Sequence, residues 1–426
     1  MVSAVHQTED VLSGVLIQLI VMIAAARLLN TAFRAMGQPG VIGEIVAGLL
    51  LGPSLMGHFL PGVSLALFGA KPPLAVTIIS QIGLTLLMFQ IGADFEFSHL
   101  GQGRARRGAP MIALASITVP LAVGIGLGAI SARALAPAID PVSYGLFLGV
   151  GLAITAVPIL GRILREFGLN RMELGVVAIS AAAINDVVGW VTLAGISAYA
   201  GARFSGGGMA LQVAAILSFG ALSWFVGRPL IERLIDRLPA RNGELPGNLM
   251  AMMFCIIFAF AICTNRLGVF TIFGGFAAGL LAHRKTAFVD AWRRQVGQMV
   301  LIFFLPVFFT YTGLRTNVLG LTTAADFTWL ALILTAAIVS KCLPVYLAGR
   351  LAGFSHPESC VLGTLMNTRA LMELIVLNIG LDMGVIPQKV FTMLVIMAVV
   401  TTVMTGPLLK LFLPRTGHVI PRAVEA

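Results

Sequence analysis

Charge is what this sequence lacks. Of its 426 residues only 11% are charged, 58% are hydrophobic and the mean hydropathy is +0.97, whereas a soluble globular chain carries about 25% charged residues. That balance excludes an ordinary soluble enzyme. Cysteine is scarce as well: Cys255, Cys263, Cys342 and Cys360 lie within or at the edge of apolar runs with no CxxC spacing, and the histidines do not cluster. Disulfide and zinc readings fail, and no cofactor is expected. The N-terminal MVSAVHQTED has no Lys or Arg, so it lacks the basic region of a signal peptide and the first helix is expected to stay in the protein. The excess of 28 Lys+Arg over 18 Asp+Glu gives +10. Because the basic residues fall in short breaks between apolar runs, the excess speaks for cytoplasmic loops and against a nucleic-acid partner.

What is present is apolar length. A bilayer-crossing helix needs about 20 mostly apolar residues, and thirteen such runs follow one another: 11–29, 41–60, 74–93, 109–130, 142–160, 172–200, 209–227, 248–264, 268–282, 297–314, 328–349, 359–380 and 389–413. The fold class is therefore an all-α polytopic membrane protein with about 13 transmembrane helices. Between runs 7 and 8, residues 228–247 place Leu230, Ile231, Leu234, Ile235 and Leu238 at helical spacing against Glu232, Arg233, Asp236 and Arg237, the pattern of an interfacial amphipathic helix.

Counting basic residues loop by loop orients the chain. Twenty of the 28 fall in one alternating set of loops and six in the other, while Lys341 and Arg369 lie inside runs. The basic set faces the cytoplasm, so the N-terminus is expected outside and the C-terminus inside. Thirteen helices suit two inverted six-helix repeats, because a seventh helix must intervene before the second unit can run upside down. The expected division is 1–208 for the first repeat, 209–247 for a linker helix and interfacial segment, and 248–426 for the second repeat. Run 5 then pairs with run 12 and run 6 with run 13.

Of the 18 acidic residues only Glu44, Asp186 and Glu373 lie well within runs, and only Asp186 is near a midpoint. An ionisable group at the bilayer centre costs about 2.5–3.5 kcal/mol on insertion scales, so Asp186 is a functional residue by default, and Asn185 stands beside it. Run 5 carries Thr155-Ala-Val-Pro158, where a proline in the helix interior frees carbonyls that a cation can use, although a plain kink is the simpler alternative. Run 12 carries Asn367-Thr368-Arg369, a polar break without proline. Arg369 and Glu373, four residues apart, suit either a structural bridge or a brace for the broken helix. Lys341 in run 11 is too deep to snorkel, so it either pairs with an intramembrane acid or is neutral. Glu44 reads as a capping or interfacial residue, and His283 as an ordinary solvated histidine.

These residues resemble the monovalent cation:proton antiporters, in the branch containing plant cation/H+ exchangers and their bacterial relatives. The resemblance rests on QPGVIGEIVAGLLLGPSLMG (38–57), FFTYTGLRTN (308–317), NTRALMELIVLNIG (367–380) and Asn185-Asp186 following Thr155-Ala-Val-Pro158, and it covers nearly the whole chain. It implies broken helices crossing near Asp186, a core of runs 4–6 and 11–13, a dimerising panel from the rest, and a bacterial inner-membrane location. It further implies Asp186 as the site of both cation and proton, with Asn185 beside it in the cation- and proton-binding set, Thr155 as a ligand and Lys341 as the core basic residue; Pro158, Arg369 and Glu373 are expected to support that core. Ala370 stands where close relatives usually have glycine, so a tighter break is expected there. Electrogenic relatives carry a second aspartate where Asn185 stands, so exchange of K+ or Na+ for H+ is expected to be electroneutral.

Three rivals weigh less. A cation channel needs a filter-like ring or a continuous polar stripe, and the sequence offers neither. A sodium-coupled organic-anion symporter of related fold needs a more polar cavity than one Asp-Asn pair supplies. An intramembrane aspartyl protease needs two catalytic aspartates, so no enzyme is expected.

Overall fold

The computed structural model describes residues 2–69, 73–94, 104–155, 157–169, 172–201, 206–240, 243–268, 270–369 and 371–418. Ala370 and the loop residues Lys71, Arg171, Arg203, Arg241 and Arg422, on which expectations above rest, lie outside the described residues. The first ten helices are α1 (Val2–Ala35), α2 (Gly40–Leu51), the short α3 (Met56–Phe59) and α4 (Pro61–Phe68), α5 (Leu74–Ala93), α6 (Arg104–Leu135), α7 (Pro141–Ala153), α8 (Val157–Glu166), α9 (Glu173–Gly201) and α10 (Gly206–Leu222). There follow α11 (Arg228–Arg237), α12 (Gly247–Arg266), α13 (Thr271–Ala282), α14 (Thr286–Trp292), α15 (Leu305–Leu314), α16 (Ala324–Leu351), α17 (His356–Met366), α18 (Leu371–Asp382) and α19 (Gln388–Phe412). Among the described residues there is no strand.

Among the described residues eleven segments are long and apolar enough to cross a membrane, and each coincides with one of the apolar runs; the shorter Pro141–Ala153 and Thr271–Ala282 fall in the fifth and ninth. The surface has the pattern a bilayer selects. Ile20, Leu28, Phe225 and Leu351 are 67–79% exposed, whereas the charged Lys341, Arg369 and Glu373 are fully buried. Apolar groups face outward and ionisable groups inward because lipid, not water, is the outer solvent.

The chain forms two compact units. One comprises residues 1–28, 44–96 and 197–315. Its helices meet backbone to backbone through glycine: a Cβ on Gly275 would stand 2.3 Å from the Thr85 carbonyl oxygen and one on Gly279 2.0 Å from that of Phe89, so α13 seats against α5 only with glycine at both positions. Phe89 then packs edge-on against Trp292, centroids 4.7 Å apart. Glu44, buried on α2, lies 3.8 Å from the half-exposed Arg27 of α1, so of the capping and interfacial readings it is an ion pair that the structure gives it. His283 follows α13 and sets Nδ1 2.7 Å from the Leu280 carbonyl. The amphipathic segment is helical only to Arg237, and it continues α10 through a π-helical turn at Ser223–Gly227. Ile231 and Ile235 form its buried face.

The other unit comprises 29–43, 97–196 and 316–426, which takes in runs 4–6 and 11–13. Local signals start its helices. The Asp140 carboxylate accepts from the amide and the hydroxyl of Ser143, both at 2.8 Å, at the start of α7; these bonds hold Asp140 below the usual carboxylate range. Capping boxes open α16 (Thr323 with Asp326) and α17 (Ser355 with Glu358). Gly124 and Gly128 of α6 lie against Gly149 and Gly145 of α7, where added Cβ atoms would come within 2.5 Å of Cα atoms on the facing helix. At the end of α6, Arg104 donates to Glu173 of α9 at 2.6 Å, lies 3.6 Å from Glu358 of α17 and stacks on Phe354.

Candidate functional site

Two membrane segments of the second unit are interrupted midway. α7 ends at Ala153, Ile154 is extended (φ −68°, ψ 145°), and α8 opens at Val157. The proline expected inside a helix is instead the second residue of α8, a first-turn position whose N–H has no intrahelical acceptor to lose. The break thus precedes Pro158, whose side chain lies outside the described residues. α17 ends at Met366, Asn367, Thr368 and Arg369 are non-helical, and α18 begins at Leu371. Thr155 ties the two interruptions together, its hydroxyl donating to the Met366 carbonyl at 3.1 Å.

α9 presents Asn185 and Asp186 in its mid-course, and successive residues of a helix point in different directions. Asn185 faces α6. With its amide turned to suit its neighbours, Oδ1 accepts from Ser116 Oγ at 2.6 Å and Nδ2 donates to the carbonyls of Ala113 (3.1 Å) and Ala181 (3.3 Å). Its other neighbour is Thr155 Oγ1 at 3.3 Å. Asp186 is 3% exposed, and neither carboxylate oxygen meets a hydrogen-bond donor among the described residues. Buried polar oxygens are ordinarily paired and ionisable groups inside membrane segments ordinarily functional, so this carboxylate is the candidate ion-binding group.

The basic residues near the breaks do not close on that carboxylate. Lys341 Nζ donates to the carbonyls of Ser116 (2.8 Å) and Ala153, so it sits at the end of the α7 half-helix, where the peptide dipoles leave negative charge. Lys341 thus meets two backbone carbonyls and, among the described residues, no acid, an arrangement that the two N–H groups of the expected neutral amine satisfy. Arg369 donates to Gly151 O at 3.0 Å, also on α7, and to Ala337 O at 3.2 Å. Its ion pair with Glu373 is long, 3.8 Å, and both Glu373 oxygens lack hydrogen-bond donors among the described residues. Arg369 therefore braces α7 more closely than it neutralises Glu373, which stands in the first turn of α18, where a carboxylate complements the dipole.

Thr155, Asn185, Lys341 and Arg369 are thus brought into one network through α7. Ser116 belongs to it and escaped the sequence reading, since its hydroxyl holds Asn185 and its carbonyl holds Lys341. The only signal was a serine halfway along an apolar run, in Ala115-Ser116-Ile117-Thr118.

A buried carboxylate with no hydrogen-bond donor among the described residues, on a helix whose Asn185 meets Thr155 at one of two interrupted segments, fits the class of an ion-translocating membrane protein. The profile described as "Sodium/hydrogen exchanger, transmembrane" matches residues 19–414, and the chain belongs to that family. It is 34% identical over 409 residues to the Na(+)/H(+) antiporter NhaS4 of Synechocystis sp., covering 95% of this chain and 98% of that one. It is 34% identical over 404 residues to Cation/H(+) antiporter 17 of Arabidopsis thaliana, covering 94% of this chain and 48%, about half, of the plant protein. The resemblance to the plant exchanger branch is borne out. In fold it matches the sodium proton antiporter MjNhaP1 of Methanocaldococcus jannaschii with a TM-score of 0.66 at 14% identity, over 95% of this chain and 98% of that chain.

Proposed function

We propose that this protein exchanges a monovalent cation, K+ or Na+, for H+ across the membrane by alternating access at Asp186. The observation that carries the reading is the Asp186 carboxylate, buried with both oxygens open. One such group holds a proton or a cation and not both, so each ion displaces the other. Thr155 adds a hydroxyl oxygen from the interrupted helix, Asn185 fixes α9 against α6, and Lys341 and Arg369 hold the end of α7 in place. The protein works as a homodimer in a bacterial inner membrane, N-terminus outside, with 1–208 and 248–426 as inverted repeats about the linker 209–247.

The test is exchange in proteoliposomes containing a pH dye, challenged in turn with K+, Na+, Li+ and Rb+. Competition at one carboxylate requires the apparent KM for the cation to rise as pH falls, by up to about tenfold per pH unit once protons dominate the site. A KM independent of pH between 6 and 9 contradicts a shared site.

A further inference from the structure

The two interrupted segments end in half-helices whose carbonyl termini are treated differently. The terminus of α7 receives two basic side chains, Lys341 on Ala153 O and Arg369 on Gly151 O. The terminus of α17 receives none among the described residues. Its Met366 carbonyl takes the Thr155 hydroxyl at 3.1 Å, and its Gly363 carbonyl takes the backbone N–H of Asn367 at 3.2 Å and the Cys342 thiol at 3.6 Å. A helix C-terminus carries roughly half a negative charge, which inside a membrane has no water to screen it.

A second observation lies at the same point. Asn367, the first residue past α17, is 1% exposed, and its side-chain Oδ1 has no donor among the described residues. Its Nδ2 faces Met404 Sδ at 3.7 Å, a weak acceptor. An amide oxygen left open where its own nitrogen has found only a thioether is not what a structural hydrogen bond leaves behind, because an unpaired buried acceptor is costly.

We propose that Asn367 Oδ1, with the carbonyl end of α17, is a ligand for the transported cation and governs which monovalent cation the protein prefers. The mobile ion supplies to α17 the positive charge that Arg369 supplies to α7, where the Lys341 amine also donates. Neutral amide and carbonyl oxygens suit a weakly hydrated monovalent ion, since they replace its water without binding it too tightly to leave. The proposal rests on the exchange reading given above, and the two fail separately.

The full-length protein is purified as wild type, Asn367→Ala, Asn367→Asp and Asp186→Asn. Each is measured by exchange in proteoliposomes and by cation-dependent melting in detergent. Asn367→Ala is expected to raise the apparent KM for the preferred cation about tenfold and to change the K+/Na+ preference. Asn367→Asp keeps an oxygen in place and adds charge, so it tightens binding or alters the K+/Na+ preference. A KM and a K+/Na+ ratio within about twofold of wild type in both variants overturn the proposal. If Asn367→Ala does not yield folded protein, Asn367→Asp decides the matter alone: tighter binding or an altered preference supports the assignment, and wild-type values overturn it. Should Asp186→Asn exchange normally while the Asn367 variants shift selectivity, the Asp186 reading fails and the Asn367 site stands.

Discussion

At the scale of single residues, the open Asp186 carboxylate and the carbonyl-bound Lys341 amine make opposite predictions. Asp186→Asn preserves shape and removes the charge, so cation-driven proton release in proteoliposomes should fall below about a tenth of the parent rate, as for loss of an essential acid. Lys341→Ala leaves the carbonyls of Ser116 and Ala153 without their donor, at about 1–3 kcal/mol for each buried acceptor. The melting temperature in detergent should therefore fall, and surviving protein should still exchange if Lys341 acts only on the end of α7. Unchanged melting with lost exchange would place Lys341 in the transport step instead. Thr155→Val removes the hydroxyl at nearly constant volume, and the expected result is weaker cation affinity with the maximal rate largely kept. An unchanged affinity would restrict Thr155 to its bond with Met366.

At the scale of elements, the register of α7 on α6 is set by four glycines, and that register places the carbonyls Lys341 and Arg369 hold. Gly124→Ala puts a Cβ 2.5 Å from Gly149 Cα, which the facing backbone cannot yield cheaply. The cost is about 1–3 kcal/mol or more, seen as a lower melting temperature. Gly126, two residues away on the same helix, has nothing within 4 Å of an added Cβ, so Gly126→Ala should be neutral or slightly stabilising. Equal losses in both variants would show that the helix, not the contact, is being perturbed. Long elements and the in-membrane acids were legible in the sequence because lipid demands unbroken apolar runs and makes every interior charge conspicuous. The interruption at Asn367–Arg369 was legible from its three successive polar residues. The position of the other break was not, since Pro158 drew attention to itself while the chain leaves the helix after Ala153. Lys341's partners were invisible for a different reason: both are backbone carbonyls, which every residue carries and no sequence marks.

At the scale of the whole molecule, charge accounting bears on how the membrane potential acts. The buried ionisable side chains gathered around the breaks are Asp186, Glu373, Lys341 and Arg369, two of each sign. Only Asp186 has both oxygens open and no ion pair within 4.0 Å among the described residues; Glu373 has Arg369 at 3.8 Å. Asn185 stands where a second acid would add another titratable charge, and its amide is committed to α6. If Asp186 alone changes occupant, the loaded site carries the same charge with a proton as with a monovalent cation. Exchange is then one for one, and the cycle moves no net charge. A potential does work of about 2.3 kcal/mol per elementary charge per 100 mV, a factor of roughly fifty in an equilibrium constant, so an electrogenic exchanger responds strongly to it. This protein is expected not to. The measurement is cation/proton exchange in proteoliposomes clamped by an ionophore at zero and at a negative potential, with a test cation the ionophore does not carry. Rates that agree within about twofold support electroneutrality, and a several-fold change refutes it. Repeating the clamp on Lys341→Gln locates the extra charge in that case. A potential dependence that vanishes in the variant assigns it to the Lys341 amine, and one that persists directs attention to Glu373, the other buried acid whose oxygens meet no hydrogen-bond donor among the described residues.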